Sequence, residues 1–465
     1  MDEIRAAAGT GRPRLDRKSV GAVVLGNALE FYDFTVYAFF AKSIGEAFFP
    51  AADATDSLLA SLALFGIGYV MRPIGGVLIG AYADRAGRKP AMLVTIALMA
   101  LGMLMLAATP GYATLGVWSQ VLVIAGRLIQ GLALGGEVGP STAYLLEAAP
   151  SEHRGFVASW QIASQGCAAL IAGIAASGLT LALGESAMAQ WGWRVMFLAG
   201  LAVVPVGLII RSHLPETAGS EQDAADSTLG VVVRLAREHG RLMALTFVVI
   251  AASTVSNAVG TNMPVYAQAT LGLTETVSNA VPIALGLASI AFPLLGGWLA
   301  DRVGRRPVLI WPRAGIALAC VPAFLWVVRA PDALSVFAVT FLLSALSSIN
   351  AAAIIVAIPE SLPRAVRSTG LSIVYALSVS IFGGSTNWVV NKLIAVSGDP
   401  LSPAYYLAAF SVLGTLAAAL MPETASRRLD AARDTPQDER QGERQDAPQG
   451  ERQDARHDAL PERPR

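Results

Sequence analysis

The amino-acid sequence consists largely of long apolar runs separated by short polar connections. A helix needs about 20 mostly apolar residues to cross the hydrocarbon core of a membrane, and the runs predict twelve such helices. Their predicted limits are 19–41, 57–82, 90–109, 115–145, 155–183, 193–211, 242–268, 277–300, 307–328, 334–358, 366–395 and 401–421. Backbone polar groups inside a membrane must bond to one another, and these runs lack the alternation of barrel strands. We therefore predict an all-α membrane protein.

The charges of the chain agree with this class. Of the 465 residues, 54% are hydrophobic and 15% are charged, whereas soluble domains are about 25% charged. Residues 422–465 hold 20 of the 68 charges, and they predict a disordered cytoplasmic tail because they lack a core. The net charge of zero excludes a nucleic-acid partner. Cys167 and Cys320 are the two cysteines, and both lie in apolar runs, so the sequence predicts no metal cluster. We also expect no cofactor. The protein is expected to be a monomer.

Basic residues are concentrated in alternate connections between the predicted helices. They are Arg5, Arg12, Arg14, Arg17, Lys18, Arg85, Arg88, Lys89, Arg154, Arg234, Arg237, Arg241, Arg302, Arg305, Arg306, Arg364 and Arg367. The connections 110–114, 269–276 and 396–400 contain neither arginine nor lysine. The positive-inside rule then places both termini in the cytoplasm, and we expect a multi-pass protein of a bacterial inner membrane. Residues 1–18 are polar and precede the first helix without a cleavage site.

Several markers recur at a nearly constant offset. Asp84 is matched by Asp301, 217 positions later, within a ten-residue pattern that spans 80–89 and 297–306. Glu147 recurs as Glu360 after 213 positions, and the Pro-Glu-Thr of 215–217 recurs at 422–424 after 207. Such offsets indicate duplication of a six-helix unit, which is typical of transporters with a site between the halves. The predicted halves are 19–211 and 242–421, joined by a cytoplasmic linker at 212–241 in which 231–239 favour a surface helix.

Few ionisable residues lie inside the predicted helices, where each costs about 2.5–3.5 kcal/mol and is expected to face a cavity. The first helix carries Asn27, Glu30 and Asp33 at three-residue steps, which places them along one side. The fourth carries Arg127 and Glu137, and the depth of Arg127 is comparable with that of Glu30, which predicts an ion pair between Arg127 and Glu30 across the cavity. A substrate anion that competes for Arg127 would leave a carboxylate to take up a proton. We predict proton coupling through Glu30, Asp33 and Glu137; the alternative is a static ion network.

Other polar side chains inside the helices are candidates for binding an anion. They are Arg72, Gln161, Gln165 and Asn387. Arg72 either binds an anion or is a structural charge near the cytoplasmic vestibule. The two glutamines either receive carboxylate or hydroxyl groups or make hydrogen bonds between helices. Arg313 and Lys392 lie toward helix ends and are predicted to extend their charges to the membrane surface.

The duplicated pattern Gly-x-x-x-Asp-Arg-x-Gly-Arg-Lys/Arg resembles the loop motif of the major facilitator superfamily. This resemblance implies the major facilitator fold, with twelve transmembrane helices in two six-helix pseudo-repeats. It also implies that the loop residues latch the cytoplasmic side of the outward-open state. The residues concerned are Asp84, Arg85, Arg88, Asp301, Arg302 and Arg305. The alternative is that these basic residues serve membrane topology alone.

Further motifs are similar to those of the metabolite:proton symporters within that superfamily. They are the segments 26–34, 71–76, 130–137 and 191–194. Segments 126–131, 159–165 and 381–386 resemble the citrate and tricarballylate branch, whereas Asn387-Trp388 departs from it and 404–407 resembles proline and betaine carriers. The resemblance implies a transporter, not an enzyme. No Walker, G-x-S-x-G or H-E-x-x-H pattern occurs.

The implied function is import of citrate or a related tricarboxylate with protons by alternating access. Substrate binding falls to Arg127, Gln161, Gln165, Arg72, Asn27 and Asn387. The expected partners are a small organic anion, protons and the lipid bilayer. One alternative keeps the fold and changes the substrate to a dicarboxylate, shikimate, or proline and betaine. Another is a non-transporting membrane sensor, for which the charged tail is the one sign.

Overall fold

The computed structural model describes residues 27–28, 31–86, 88–135, 153–201, 205, 228–361 and 374–424. Regular structure in these residues is entirely helical. The main helices are α1 (Ala41–Phe48), α2 (Ala54–Ala86), α3 (Arg88–Ala108), α4 (Val117–Leu134), α5 (Arg154–Leu183), α6 (Trp193–Gly200), α7 (Thr228–Val265), α8 (Glu275–Val303), α9 (Arg305–Arg329), α10 (Ala333–Ser361), α11 (Gly384–Ser397) and α12 (Ser402–Leu420). Residues 31–39 and 374–378 are also helical.

Eight of the described helices are long and apolar enough to cross a membrane: α2, α4, α5, α7, α8, α9, α10 and α12. Each coincides with a span predicted from the sequence. The apolar part of α3, Leu93–Ala108, is shorter. Four predicted spans, the first, fourth, sixth and eleventh, extend beyond the described residues, at 19–26, 136–145, 202–204 with 206–211, and 366–373 respectively. The all-helical membrane fold is therefore confirmed, and the count of twelve spans stays a prediction.

Local sequence explains where several helices begin and end. Gly184 follows α5 with a φ of +84°, and Gly304 separates α8 from α9 with a φ of +104°; glycine adopts such angles without the strain that a side chain brings. Thr274 caps α8, because its side-chain oxygen accepts a hydrogen bond from the Val277 N–H at 3.4 Å. α7 bends at His239, where φ is −128° and ψ is 22°. This bend separates the start of α7, in the predicted linker, from its apolar part.

The two predicted halves pack together along α5 and α8, which run antiparallel. Gly155 lies against Gly297 at one end, Gly166 against Ser289 in the middle, and Gly173 against Ile283 further along. A Cβ atom at Gly297 would lie 2.4 Å from the Gly155 carbonyl oxygen. Since helices in lipid associate through close packing of small residues, these glycines allow the two backbones to approach. We call this contact the α5–α8 seam.

Three large hydrophobic clusters form the interior. One takes its buried residues from 32–197 together with Leu285 of α8, and two take theirs from 249–421. A second contact between the halves joins α2 to α11, where a Cβ atom at Gly66 would lie 2.6 Å from the Gly384 carbonyl oxygen. Packing divides the chain after Glu423. The charged tail from 425 onward lies outside the described residues, so its predicted disorder stays a prediction.

Candidate transport site

Arg127 of α4 lies in the interior of the first half with none of its surface exposed. Its Nη1 donates a hydrogen bond to Gln130 Oε1 at 2.8 Å and another to Asp33 Oδ2 at 3.4 Å. The Asp33 side chain is also fully buried. Removing both charges from water costs on the order of several kcal/mol for each ion, and a contact of 3.4 Å recovers part of this cost. The sequence predicted Glu30 as the ion-pair partner of Arg127, whereas the described partner is Asp33. Glu30 lies outside the described residues, so its pairing stays a prediction.

Aromatic rings surround Arg127 and the second buried arginine of this half, Arg72 of α2. The guanidinium carbon of Arg127 lies 4.3 Å from the ring centre of Tyr37 and 4.7 Å from that of Phe34. The guanidinium carbon of Arg72 lies 4.0 Å from the ring centre of Tyr69 and 4.6 Å from that of Phe34. The two cations thus share the Phe34 ring. Aromatic faces attract cations, so the rings partly compensate for the water that the guanidinium groups have lost.

Close packing between α2 and α4 brings the two arginines together. A Cβ atom at Gly131 would lie 2.0 Å from the Gly68 carbonyl oxygen, and one at Gly135 would lie 1.9 Å from the Arg72 carbonyl oxygen. Larger side chains at either glycine would separate the helices. The glycines of α4, noted in the sequence as part of the family motifs, therefore set the spacing of the cationic groups.

Several polar atoms of this cluster are buried and have no hydrogen-bond partner among the residues that the structure describes. They are Nε and Nη2 of Arg127, Nε of Arg72, Nε2 of Gln130 and Oδ1 of Asp33. A buried donor without an acceptor costs about 1–3 kcal/mol, and more if it is charged. The described side chains place two guanidinium groups here, and one carboxylate, that of Asp33, contacts Arg127. The cluster is therefore able to receive an anion with several acceptor oxygens.

Asn27, Gln161 and Gln165 lie where the first helical segment meets α5. Asn27 Nδ2 donates to the Gln161 carbonyl oxygen at 3.0 Å and to Ser164 Oγ at 2.7 Å. The Gln161 side chain is buried, and that of Gln165 is half-buried. Asn27 is thus engaged in holding this segment to α5, while Gln165 is partly open to its surroundings.

Asn387 of α11 is the predicted binding residue that lies in the second half. Its side chain is 1% exposed, and neither its Oδ1 nor its Nδ2 has a hydrogen-bond partner in the described part of the chain. One turn further, Asn391 Nδ2 donates to Asn262 Oδ1 at 3.0 Å. Asn387 lies one turn from Gly384, the residue that packs on α2. An amide with two unused polar atoms at the boundary between the halves is able to bind a polar ligand.

The prediction for Arg313 was wrong. Its guanidinium does not reach the membrane surface: the side chain is 1% exposed and donates to the Ala252 carbonyl oxygen at 3.0 Å, to Asn350 Oδ1 at 2.5 Å and to Ser256 Oγ. It occupies the ninth position of α9, roughly 12 Å along the helix axis. At that depth, acceptors on α7 and α10 are nearer than water. Lys392 is exposed, as predicted.

The loop residues of the second half form a network at one end of the seam. Asp301 accepts hydrogen bonds from the backbone N–H groups of Gly155 and Phe156, each at 2.9 Å, and thereby caps α5. Arg305 donates to Asp301 at 2.9 Å and to Glu360 at 3.2 Å. Asp301 therefore joins the two halves directly. We call this end of the seam the Asp301 end.

Other predicted loop residues lie elsewhere or are not described. Arg302 is exposed and stacks on Trp298 of its own helix, with its guanidinium carbon 4.2 Å from the ring centre. The side chains of Asp84, Arg85 and Arg88, at the junction of α2 and α3, lie outside the description, as do Glu30 and Glu137. Their predicted roles stay predictions.

Sequence reasoning missed two groups of residues. The first comprises Phe34, Tyr37, Phe65 and Tyr69, whose rings stack around the arginines; aromatic residues at three-residue steps beside Asp33 were the available signal. The second comprises Glu360 and Glu423. Glu423 accepts from the backbone N–H of Arg305 at 2.8 Å, and both glutamates had appeared in the sequence only as repeat markers.

A helical membrane protein whose predicted halves pack along glycine seams, and whose interior contains buried charges, has the architecture of a secondary transporter. The chain belongs to the Major Facilitator Superfamily, whose family model matches residues 23–383 and 245–456. It is accordingly a multi-pass membrane transporter, not an enzyme.

Individual relatives cover nearly the whole chain. A citrate-proton symporter of Salmonella typhi is 34% identical over 411 residues, which are 88% of this chain and 95% of that protein. A citrate-proton symporter of Klebsiella pneumoniae is 34% identical over 92% of this chain and 97% of that protein. A proline/betaine transporter of Salmonella typhimurium is 31% identical over 91% and 86%. The xylose transporter XylE of E. coli, in a partially occluded inward-open conformation, shares the fold with a TM-score of 0.67 at 20% identity, over 88% of this chain and 98% of that chain.

Proposed function

We propose that the protein imports citrate or a related tricarboxylate together with protons, by alternating access, across a bacterial inner membrane with both termini in the cytoplasm. In this orientation the Asp301 end of the seam is cytoplasmic. The citrate-proton symporters at 34% identity support the substrate class.

The observation that carries the proposal is the set of unused donors on Arg127 and Arg72. Among the described residues, these N–H groups have no acceptor. The two guanidinium groups carry two positive charges, and one carboxylate, that of Asp33, contacts Arg127. Guanidinium groups bind carboxylates through paired, charge-assisted hydrogen bonds. A tricarboxylate supplies several such acceptors at once. In this proposal Gln161, Gln165 and Asn27 line the same half of the site, and Asn387 contributes from the other half.

Proton coupling follows from competition for Arg127. Without substrate, Arg127 favours the ionised form of Asp33, because an opposite charge nearby stabilises a carboxylate. A bound substrate carboxylate takes hydrogen bonds from Arg127, so Asp33 is left buried beside a second anion and favours its protonated form. Substrate and proton therefore bind together. Glu30 and Glu137 are proposed to take part in this linkage.

The aromatic rings bear on the alternative substrate, betaine. A quaternary ammonium group is recognised by open aromatic faces, and the chain has four rings in this region. Three of them, Phe34, Tyr37 and Tyr69, already lie within 4.7 Å of an arginine guanidinium carbon. A trimethylammonium group would meet like charge there. The arrangement therefore favours an anionic substrate over betaine.

Purified protein in proteoliposomes tests the proposal. Uptake of radiolabelled citrate should accelerate when an inward proton gradient is imposed and should collapse when a protonophore is added. Citrate uptake that a protonophore leaves unchanged would reject proton coupling. Competition by unlabelled tricarballylate, succinate, shikimate and betaine identifies the substrate class: the proposal expects tricarballylate to compete best, and strong competition by betaine alone would contradict it.

A further inference from the structure

A second carboxylate joins the two halves at the opposite end of the α5–α8 seam. Glu185, just after α5, accepts through Oε1 from the backbone N–H of Thr276 at 3.0 Å and from the Thr276 hydroxyl at 2.7 Å. Thr276 lies in the first turn of α8. Glu185 of one half therefore caps a helix of the other half. We call this end the Glu185 end.

The two caps are reciprocal. At the Asp301 end, a carboxylate from the last turn of α8 accepts from the first backbone N–H groups of α5. At the Glu185 end, a carboxylate that follows α5 accepts from the first turn of α8. In each case a negative charge meets the positive end of a helix dipole, where its interaction is favourable. Each of the two antiparallel helices is thus capped by a residue near the end of its partner.

Between the caps, glycines bring the two helices into close contact, as at Gly166 with Ser289 and at Gly173 with Ile283. At the Glu185 end, Ser177 Oγ donates to the Asn279 carbonyl oxygen at 3.3 Å, and Asn279 Nδ2 donates to Thr180 Oγ1 at 3.0 Å. These bonds are separated from the Asp301 cap by most of the length of α5. Opening either end of the seam must therefore break the cap at that end and can leave the other cap intact.

We propose that Glu185 and Thr276 form the periplasmic latch of this transporter: their contact holds the periplasmic side closed and breaks when the protein opens outward. The inference rests on the alternating-access transport and the orientation proposed above. Glu185 acts as a positioning residue, since it touches α8 rather than substrate. Asp301 is its counterpart, and the balance between the two caps determines which side opens. Three other charged residues lie on the same side. Glu275 interacts electrostatically with Glu185, Lys42 and Glu46, and Lys42 pairs with Glu46 at 3.9 Å.

Cysteine labelling at the two ends of the seam tests this latch without measuring transport. In the full-length chain with Cys167→Ser and Cys320→Ser, one reporter is Ser177→Cys near the Glu185 end and the other is Ser159→Cys, whose native Cβ packs against Gly297 near the Asp301 end. A membrane-impermeant maleimide is applied to the periplasmic face for the first reporter and to the cytoplasmic face for the second.

Glu185→Ala should raise the labelling rate at position 177 by about three- to tenfold, the range expected for loss of a helix cap. The rate at position 159 should fall, because the population shifts outward. Asp301→Ala should have the opposite effect at both reporters. Thr276→Val, which keeps the backbone N–H but loses the hydroxyl donor, should give an intermediate rise at 177.

Asp332→Ala provides a matched control. Asp332 also caps a helix, through a hydrogen bond from the Ser335 N–H at 2.7 Å, but this helix, α10, belongs to its own half. Labelling at both reporters should stay unchanged in this variant. An unchanged rate at 177 in Glu185→Ala, or an equal rise at both reporters, would overturn the latch. Because labelling does not require citrate or a proton gradient, these outcomes are distinct from failure of the proposed substrate.

Discussion

Arg127 and Arg72 present more hydrogen-bond donors than the described side chains around them accept. Asp33 and Gln130 take two bonds from one nitrogen of Arg127, while Nε and Nη2 have no partner. Structures retain such unsatisfied buried groups where a ligand or water completes them. At the residue scale, the proposed binding site therefore rests on arginine N–H groups that have no acceptor among the described residues.

Arg127→Lys keeps the charge and removes the planar donor set. A lysine is a compact point charge that cannot bind a carboxylate in a bidentate manner, and a hydrogen bond to a charged group contributes about 1.5–3 kcal/mol. We expect the dissociation constant for citrate to rise about ten- to hundredfold, measured by isothermal titration calorimetry on the solubilised protein. Arg329→Lys, at an exposed position, is the control. Equal affinity in both variants would count against Arg127 as a substrate ligand.

Individual side-chain partners were the part of the site that the sequence predicted least well. Spacing placed Glu30 and Asp33 on one side of the first helix, and depth favoured Glu30 as the partner of Arg127, whereas the described partner is Asp33, 94 positions away. Arg313 failed for a related reason. Its nearness to a helix start suggested an exposed charge, while its acceptors come from helices distant in sequence. Hydropathy indicates depth in the membrane, and contacts between helices decide partners.

At the scale of elements, the glycines of the α5–α8 seam differ sharply in their surroundings. A Cβ atom at Gly166 would lie 2.4 Å from the Ser289 carbonyl carbon, whereas one at Gly178 in the same helix meets nothing within 4 Å. We expect Gly166→Ala to lower stability by about 1–3 kcal/mol through overpacking. Gly178→Ala should be neutral or stabilising by up to about 1 kcal/mol, because alanine favours helix. Thermal unfolding of the two purified variants checks this, and equal midpoints would show that the seam is not tightly packed.

Helices themselves were predictable, because a span needs only length and hydropathy. The predicted spans 155–183 and 277–300 match α5 and α8 to within a few residues. The pairing of these two helices was not predictable. The chain contains 44 glycines, and their number does not show which glycine packs against which residue of another helix. The repeated loop motif, through its resemblance to that of the superfamily, marked Asp301 as a latch residue but did not show that it caps α5. Glu185 belongs to no repeat and was missed.

For the whole molecule, the pH response of the seam follows from Glu185. Hydrogen bonds from the Thr276 hydroxyl and N–H hold the pKa of this carboxyl below its ordinary value, which is about 4.3. The stabilisation is complete above that ordinary value and is lost only as the pH falls through the lowered pKa. The labelling rate at Ser177→Cys, divided by the rate at an exposed control cysteine, Ala51→Cys, should therefore stay constant from about pH 7.5 to about pH 5.5. A marked rise over that range would contradict a latch made by ionised Glu185.

Deletion of 425–465 separates transport from the sensor alternative. The described contacts of the site and of both caps lie before this segment, so we expect the truncated chain to retain proton-driven citrate uptake in proteoliposomes. Loss of uptake with normal membrane insertion would indicate a role of the tail in function.

The most direct test of proton coupling compares wild type with Asp33→Asn. The initial rate of citrate uptake is measured in proteoliposomes with and without an inward gradient of about two pH units, each unit being worth about 1.4 kcal/mol per proton. Asp332→Asn, outside the site, serves as the control. We predict that the gradient accelerates uptake by wild type and the control, whereas Asp33→Asn exchanges citrate but does not respond to the gradient. An Asp33→Asn protein that the gradient accelerates as much as wild type would contradict the coupling of citrate and protons through the Asp33 and Arg127 pair.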